Sequence, residues 1–124
     1  AQQATAALAD EVGLFGVLAV EFFVTSDDRL LFNEMAPRPH NSFHWTIEGC
    51  ASSQFTQLAR VLAGLGFGDT SAYGRWQMDN LLGQHMQQVP DLLASKGVHL
   101  HLYGKPDAHT NRKMGHATRQ LPKS

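Results

Sequence analysis

The sequence is 124 residues long and 43% hydrophobic, which suits one ordinary globular domain or one core with a small satellite. Its 10 basic and 11 acidic residues leave a formal charge of −1, so no global field draws it to nucleic acid or an anionic membrane, and any phosphate binding must be local. One cysteine, Cys50, excludes an intrachain disulfide and fits a reducing, cytoplasmic compartment; no signal peptide is expected, and these residues hold no apolar run of about eighteen.

The first dozen residues read as a helix, with Ala4, Ala7, Leu8 and Val12 as its apolar stripe and Gly13 as its stop. Because the chain starts at Ala1 without Met and the helix is already under way, a piece of a longer protein is expected. Phe15–Val24 is apolar, β-branched and aromatic apart from Glu21, the pattern of a strand buried on both faces. Ser26-Asp27-Asp28 is turn chemistry, and Arg29–Met35 reads as the returning strand of an antiparallel hairpin.

With Asp27-Asp28 as a two-residue loop, Ser26 faces Arg29 and Glu21 stands opposite Glu34. Opposed side chains on one face lie about 4.5–5.5 Å apart at Cβ, so two carboxylates there repel unless something compensates. Burial would favour protonating one carboxyl, and a divalent cation between them would favour keeping both ionised; hard oxygen ligands suit Mg²⁺ or Mn²⁺, and Mg²⁺ usually takes one or two protein carboxylates plus substrate phosphates, which makes a nucleotide the expected third party. The alternative is a solvated rim in which Glu34 pairs with Arg38. A slip of one residue would separate the two acids onto opposite faces.

The stretch Asn33–His44 brings together two amides, Glu34, Arg38, His40, His44 and Ser42, stiffened by Pro37 and Pro39. Each proline fixes its own φ and pushes the residue before it toward an extended conformation, so a rigid arm leaving a strand is expected. Convergent polar groups on a rigid arm are the material of active sites, although an ordinary polar connection would carry prolines too.

Thr46–Leu62 reads as one helix, with Ser52 and Ser53 available as caps and Phe55, Leu58, Ala59 and Leu62 at helical spacing. Gly64, Gly66 and Gly68 then form a linker rather than a phosphate loop, since they follow a helix instead of a strand. Residues 1–70 and 71–124 are the expected domains. In the second, Trp76–Gly83 reads as a strand and Val89–Ser95 as a short helix with Pro90 in its first turn. Val98–Tyr103 alternates, with Val98, Leu100 and Leu102 on one face and His99, His101 and Tyr103 on the other, and Arg112–Thr118 is a last strand. Joining these two strands brings Lys105 and Arg112 to one end of a hairpin, either a phosphate site or a solvated basic turn. The seven histidines raise zinc as another reading, through His40 with His44 or His99 with His101, but no His-Glu-x-x-His pattern occurs. A non-catalytic dimerisation or regulatory module is the third class.

Several of these segments together resemble one family. Val20-Glu21-Phe22-Phe23 with Asn33-Glu34-Met35-Ala36-Pro37-Arg38-Pro39-His40-Asn41-Ser42 is similar to the C-terminal part of ATP-grasp enzymes, most of all the N5-carboxyaminoimidazole ribonucleotide synthetases. The likeness continues through Ser53-Gln54-Phe55, Asn80-Leu81-Leu82-Gly83, Tyr103-Gly104-Lys105 and Arg112-Lys113-Met114-Gly115-His116. The fold it implies is α+β: the C-terminal half of an ATP-grasp subdomain, an antiparallel hairpin plus helix, followed by a small β-rich domain. The implied reaction is ATP-dependent carboxylation of 5-aminoimidazole ribonucleotide by bicarbonate through carboxyphosphate, a step of purine biosynthesis carried out by a homodimer.

The same resemblance assigns roles. Glu21 and Glu34 would hold Mg²⁺ at the ATP phosphates, and Asn33 and Glu34 would face the nucleotide. Arg38, His40 and Asn41 would lie near bicarbonate and the amine, and Lys105, Arg112 and Lys113 would receive the ribonucleotide phosphate. Without the family's N-terminal domain and ATP lid, the 124-residue chain alone is expected not to turn over. Three positions depart from the family pattern: Phe43 where Gly is expected, His109 where Arg is expected, and Asn111 in place of Gly. Imidazole is only partly charged at neutral pH, so His109 weakens the phosphate clamp, whereas Asn is the residue best suited to replace Gly at positive φ.

Overall fold

The computed structural model describes residues 1–122 and has the expected α+β composition, with antiparallel sheets only. It divides into two compact units, one of Ala1–His44 with Ser52–Thr70 and one of Trp45–Ala51 with the chain from Ser71 onward. The segment Trp45–Ala51, although it precedes residue 70, therefore packs with the second unit.

In the first unit, helix α1 (Gln2–Glu11) ends before Gly13, which takes φ +60. Its inner face is Thr5, Leu8 and Ala9, while Ala4, Ala7 and Val12 face solvent, a rotation from the expected stripe. Strands β1 (Ala19–Val24) and β2 (Leu30–Ala36) form a two-stranded hairpin. β1 starts four residues later than Phe15 and is not buried on both faces: only Ala19 and Ala36 are buried, and Phe23 and Phe32 are each 59% exposed. A two-stranded ribbon has no second layer at its tip, so apolar residues there stay in solvent.

The turn differs from the expected two-residue loop in a way that matters for the site. Asp28 N–H donates to the Thr25 carbonyl at 3.0 Å and Thr25 N–H donates to the Arg29 carbonyl at 2.9 Å, closing a three-residue loop Ser26–Asp28. Asp28 takes φ 60, the left-handed position that such loops place last and that Asp tolerates. The longer loop pairs Val24 with Leu30 and Phe22 with Phe32, one residue out of the expected register. A bulge that leaves Asn33 unpaired restores it, and Glu21 then pairs with Glu34.

The expected helix 46–62 is two helices, α2 (Thr46–Gly49) and α3 (Gln54–Leu62). Cys50 is extended at φ −129, ψ 156 because it bridges Ala72, with Ala51 N–H donating to the Ser71 carbonyl and Tyr73 N–H to that of Gly49. A short ladder in the second unit outweighs local helix propensity there. Ser53 caps α3, its Oγ accepting from Thr56 N–H at 3.2 Å. The glycine linker is folded back onto α3: Gln57 Nε2 donates to the Gly68 carbonyl, Gly68 N–H donates to Gln57 Oε1, and Arg60 Nε donates to the Gly66 carbonyl.

The second unit is a three-stranded sheet ordered β3-β5-β4, from β3 (Trp76–Leu82), β4 (Val98–Leu102) and β5 (Lys113–Gln120). A 3₁₀ turn (Gly83–Gln88) and helix α4 (Val89–Ala94) carry the chain from β3 to β4, and β5 then enters between them. The register puts Leu81, Ala117 and Leu100 on one face, and Asn80, His116, His101 and Thr118 on the other. Alternation in β4 therefore falls as expected.

The polar face is closed by Glu48 of α2. His101 Nε2 meets Glu48 Oε1 at 2.6 Å, and Thr118 Oγ1 donates to Glu48 Oε2 at 2.8 Å. His101 stacks on His116 with ring centroids 4.6 Å apart, and the Tyr103 hydroxyl lies 2.8 Å from His116 Nδ1. His116 and Thr118 are 2% and 1% exposed, so this network is the polar core of the unit. Burial pushes the Glu48 carboxyl up, but the hydrogen bonds from His101 and Thr118 and the charge of the nearby imidazoles outweigh it and hold the group below its ordinary 4.5.

A depressed carboxyl stabilises the fold fully above its unfolded value and stops doing so as pH falls through the lower folded value, where the unfolded chain binds more protons. Both tryptophans, Trp45 and Trp76, lie in this unit, so their fluorescence follows its unfolding. The urea midpoint read this way is expected to fall as pH drops below 4.5. Glu48→Gln is expected to lower the midpoint at pH 7, through a stability loss of about 2 kcal/mol for lost charge-assisted hydrogen bonds, and to flatten the acid slope. An unchanged slope in Glu48→Gln would remove the network from the account of acid stability.

Candidate functional site

The bulge at Asn33 and the arm after Ala36 build the site at the base of the hairpin. Glu21 and Glu34 face each other across β1 and β2, and the polypeptide returns as Pro37–His40 to place an imidazole beside them. His40 Nε2 lies 2.9 Å from Glu34 Oε1, and His40 Nδ1 lies 3.5 Å from Glu21 Oε1 and 3.2 Å from Ser42 Oγ. Ser42 Oγ donates to Glu21 Oε1, and Asn33 Nδ2 donates to Glu21 Oε2 at 3.5 Å. The repulsion between the two acids is thus offset by donors from the arm and from the bulge residue Asn33. Glu34 pairs with His40 and not with Arg38, whose Nη1 donates to the Pro39 carbonyl at 3.0 Å.

One ligand atom from each of Glu21, Glu34 and His40 lies within 4.8 Å of the others, and among the described residues this is the one group of three or more His, Cys, Asp or Glu side chains so arranged. The two carboxylates suit Mg²⁺ or Mn²⁺, whereas the imidazole beside them is a ligand for later transition metals, so the oxygen pair carries the fit to the cation. The zinc pairings suggested by spacing do not form such a group: the His44 ring stacks on Phe55, His99 lies against Trp76, and His101 is held by Glu48. Asn41 opens a 3₁₀ turn, Asn41–Phe43. Phe43 takes no positive φ there, and its side chain lines an apolar cavity of about 450 Å³ with Ala6, Ala9, Leu18, Val20 and Phe22, so the bulky residue is accommodated outward from the carboxylates.

In the second unit, Lys105 Nζ donates to the Lys113 carbonyl at 2.6 Å and sits 5.5 Å from the centre of the Tyr103 ring. Arg112 Nη1 donates to the Asp107 carbonyl at 3.1 Å, and Lys113 opens β5, so all three basic residues lie between the end of β4 and the start of β5. Asn111 has φ 64, the conformation that a Gly would supply, and Gln84 holds it by two hydrogen bonds. Sequence reading counted Ser42 among the arm's polar groups without giving it a role, although its hydroxyl is part of the carboxylate cluster, and it gave none to Gln54, whose side chain reaches the arm. Only their positions inside the motifs Asn41-Ser42 and Ser53-Gln54-Phe55 hinted at them.

Comparison with known proteins decides the family. Residues 1–55 match the ATP-grasp domain family, and residues 77–122 match the phosphoribosylaminoimidazole carboxylase C-terminal domain. The chain is 50% identical over 109 residues, 88% of its length, to an N5-carboxyaminoimidazole ribonucleotide synthase of Brucella melitensis. Over the segment it spans, the chain is of the N5-carboxyaminoimidazole ribonucleotide synthase type. It spans 30% of the length of the Brucella synthase. Among solved synthases, the Staphylococcus aureus N5-carboxyaminoimidazole synthetase complexed with ADP superposes with a TM-score of 0.90 at 33% identity, over 98% of this chain and 33% of that one. The Aspergillus clavatus synthase in complex with ADP and 5-aminoimidazole ribonucleotide superposes with a TM-score of 0.84 at 36% identity, over 98% of this chain and 35% of that one. No helix among the described residues is long and apolar enough to cross a membrane.

Proposed function

We propose that this chain supplies the cation-binding and substrate-binding groups of an ATP-dependent carboxylating ligase, acting as a cytoplasmic homodimer in purine biosynthesis. The proposed reaction joins bicarbonate to 5-aminoimidazole ribonucleotide at the expense of ATP. The observation that carries this reading is the convergence of Glu21, Glu34 and His40 within 4.8 Å. It is supported by the family match and by the ADP and ribonucleotide bound to synthases of the same fold.

In this reading Glu21 and Glu34 hold Mg²⁺ or Mn²⁺, with His40 as a further donor, and Asn33 and Glu34 face the nucleotide. When bound, the cation supplies charge stabilisation at the ATP phosphates. A bicarbonate oxygen attacks the γ-phosphorus, the bond to the ADP oxygen breaks, and carboxyphosphate forms. The ribonucleotide amine then attacks the carboxyl carbon, phosphate leaves with the bicarbonate oxygen, and the amine loses a proton. Arg38, His40 and Asn41 orient bicarbonate and amine: guanidinium and amide donors match the oxygens on which charge develops. In the second unit, Lys105, Arg112 and Lys113 receive the ribonucleotide phosphate, Arg as a fork and Lys as point charges.

The test is a chimera in which this chain replaces the matching segment of the Brucella melitensis synthase. With oxygen-18 bicarbonate and 5-aminoimidazole ribonucleotide, inorganic phosphate is expected to carry the label, and Glu34→Gln is expected to reduce its formation by at least about 100-fold, the scale of a lost electrostatic stabiliser. Unlabelled phosphate from an active chimera, or full activity in Glu34→Gln, would overturn the reading.

A further inference from the structure

The arm that carries His40 is poorly supplied with its own anchors. Pro37 and Pro39 have no N–H to give, so a backbone ladder cannot hold the arm in register between the end of β2 and His40. Gln54, the first residue of α3 and 7% exposed, meets it from the other side. Its Oε1 accepts from His40 N–H at 2.7 Å and its Nε2 donates to the His40 carbonyl at 2.9 Å, so one buried carboxamide stands in for the neighbouring strand.

The orientation of that amide is fixed by chemistry. A backbone N–H can only donate and a carbonyl can only accept, so the oxygen must face one and the nitrogen the other. Nε2 also lies 2.8 Å from His44 Nδ1, and as a donor it requires that nitrogen to be unprotonated, which leaves the ring proton of neutral His44 on Nε2. The far side of His40 faces the carboxylates: with its backbone extended at φ −126, ψ 151, the ring reaches Glu34 at 2.9 Å. Helix α3 is itself set by the Ser53 cap, so a rigid element supports the amide.

We propose that Gln54 is a positioning residue whose carboxamide holds the His40 peptide and thereby sets the imidazole against Glu34 and Glu21. The inference rests on the cation reading only for its consequence, and its geometry stands without a metal. The clamp also explains why Ser53-Gln54 belongs to the same constellation as an arm more than ten residues earlier.

Three variants separate positioning from mere stability. Gln54→Met keeps length and burial but removes all three hydrogen bonds of the carboxamide, Gln54→Glu keeps the acceptor for His40 N–H and loses the donations, and Ser53→Ala weakens the helix start alone. In the 124-residue chain, His40 amide exchange is expected to be slowed at least about 100-fold from its unprotected rate, and Gln54→Met is expected to lose at least about tenfold of that protection. The long-range nitrogen spectrum of the His40 ring should shift in Gln54→Met, shift less in Gln54→Glu, and stay put in Ser53→Ala although Ser53→Ala lowers Tm. Mn²⁺ affinity should fall about tenfold in Gln54→Met, the scale of a lost outer-shell partner.

An unchanged His40 ring spectrum in a folded Gln54→Met would overturn the proposal and leave Gln54 a structural residue. Should that variant fail to fold, unprotected His40 exchange in the parent chain would overturn it equally, and protection with the graded Gln54→Glu shift would uphold it. If the parent chain binds no Mn²⁺, the cation reading fails, while the exchange and ring signals still decide the role of Gln54.

Discussion

Replacing Gly115 by alanine is expected to unfold the second unit or to lower its stability by about 3 kcal/mol or more, the upper range for overpacking. Gly115 lies in β5, the central strand, and a Cβ built on it falls 2.3 Å from the His101 carbonyl oxygen and 3.2 Å from Leu102 Cδ2. The first of these is backbone, which cannot swing aside as a side chain does. Relief requires β5 to part from β4, and that disturbs the pairing of His101 with His116 and hence the hydrogen bond to Glu48. Trp45 and Trp76 fluorescence in urea measures the effect. Gly66→Ala is the control, since nothing lies within 4 Å of its built Cβ. Equal midpoints for the parent chain and Gly115→Ala would show that the strand has slack that the packing does not suggest.

The second large effect is expected at the carboxylates. Glu21→Gln and Glu34→Gln each remove one formal charge and one oxygen ligand from a cluster that has only three candidate donors. Each loss is expected to weaken Mn²⁺ binding by more than the roughly 10–100-fold that removal of an outer-shell partner costs, and the double variant should bind no better than a surface acid. Ser42→Ala, which removes the hydroxyl donating to Glu21, should weaken binding by about tenfold. Glu11→Gln on exposed α1 should change nothing. Isothermal titration of the chain with Mn²⁺ makes the comparison, and Glu34→Gln with parent affinity would detach Glu34 from the site.

The facing of Glu21 and Glu34 was readable because period-2 patterning and turn residues are local, yet the route to it was not. The loop is a residue longer than the Asp-Asp pair suggests, since Asp28 tolerates the left-handed conformation, and the bulge at Asn33 compensates by one. Two changes of register cancel, so the acids meet. Gly13, Ser53, Pro90 and Asn111 also act where local chemistry puts them. What the sequence left hidden is non-local. Cys50 breaks a helix to bridge Ala72, Gln54 reaches fourteen residues back to His40, and Glu48 anchors side chains more than fifty residues away. None of these leaves a periodic signal, because each is a backbone bridge or a polar side chain whose partner is set by folding and not by spacing.

The most direct test is paramagnetic broadening by Mn²⁺ in the 124-residue chain labelled at Asp and Glu carboxyl and His ring positions. At substoichiometric Mn²⁺ the account predicts selective loss of the Glu21, Glu34 and His40 signals, saturating at one ion per chain. Broadening that spreads first over exposed acids such as Asp27 and Glu11, or that never saturates, would contradict it.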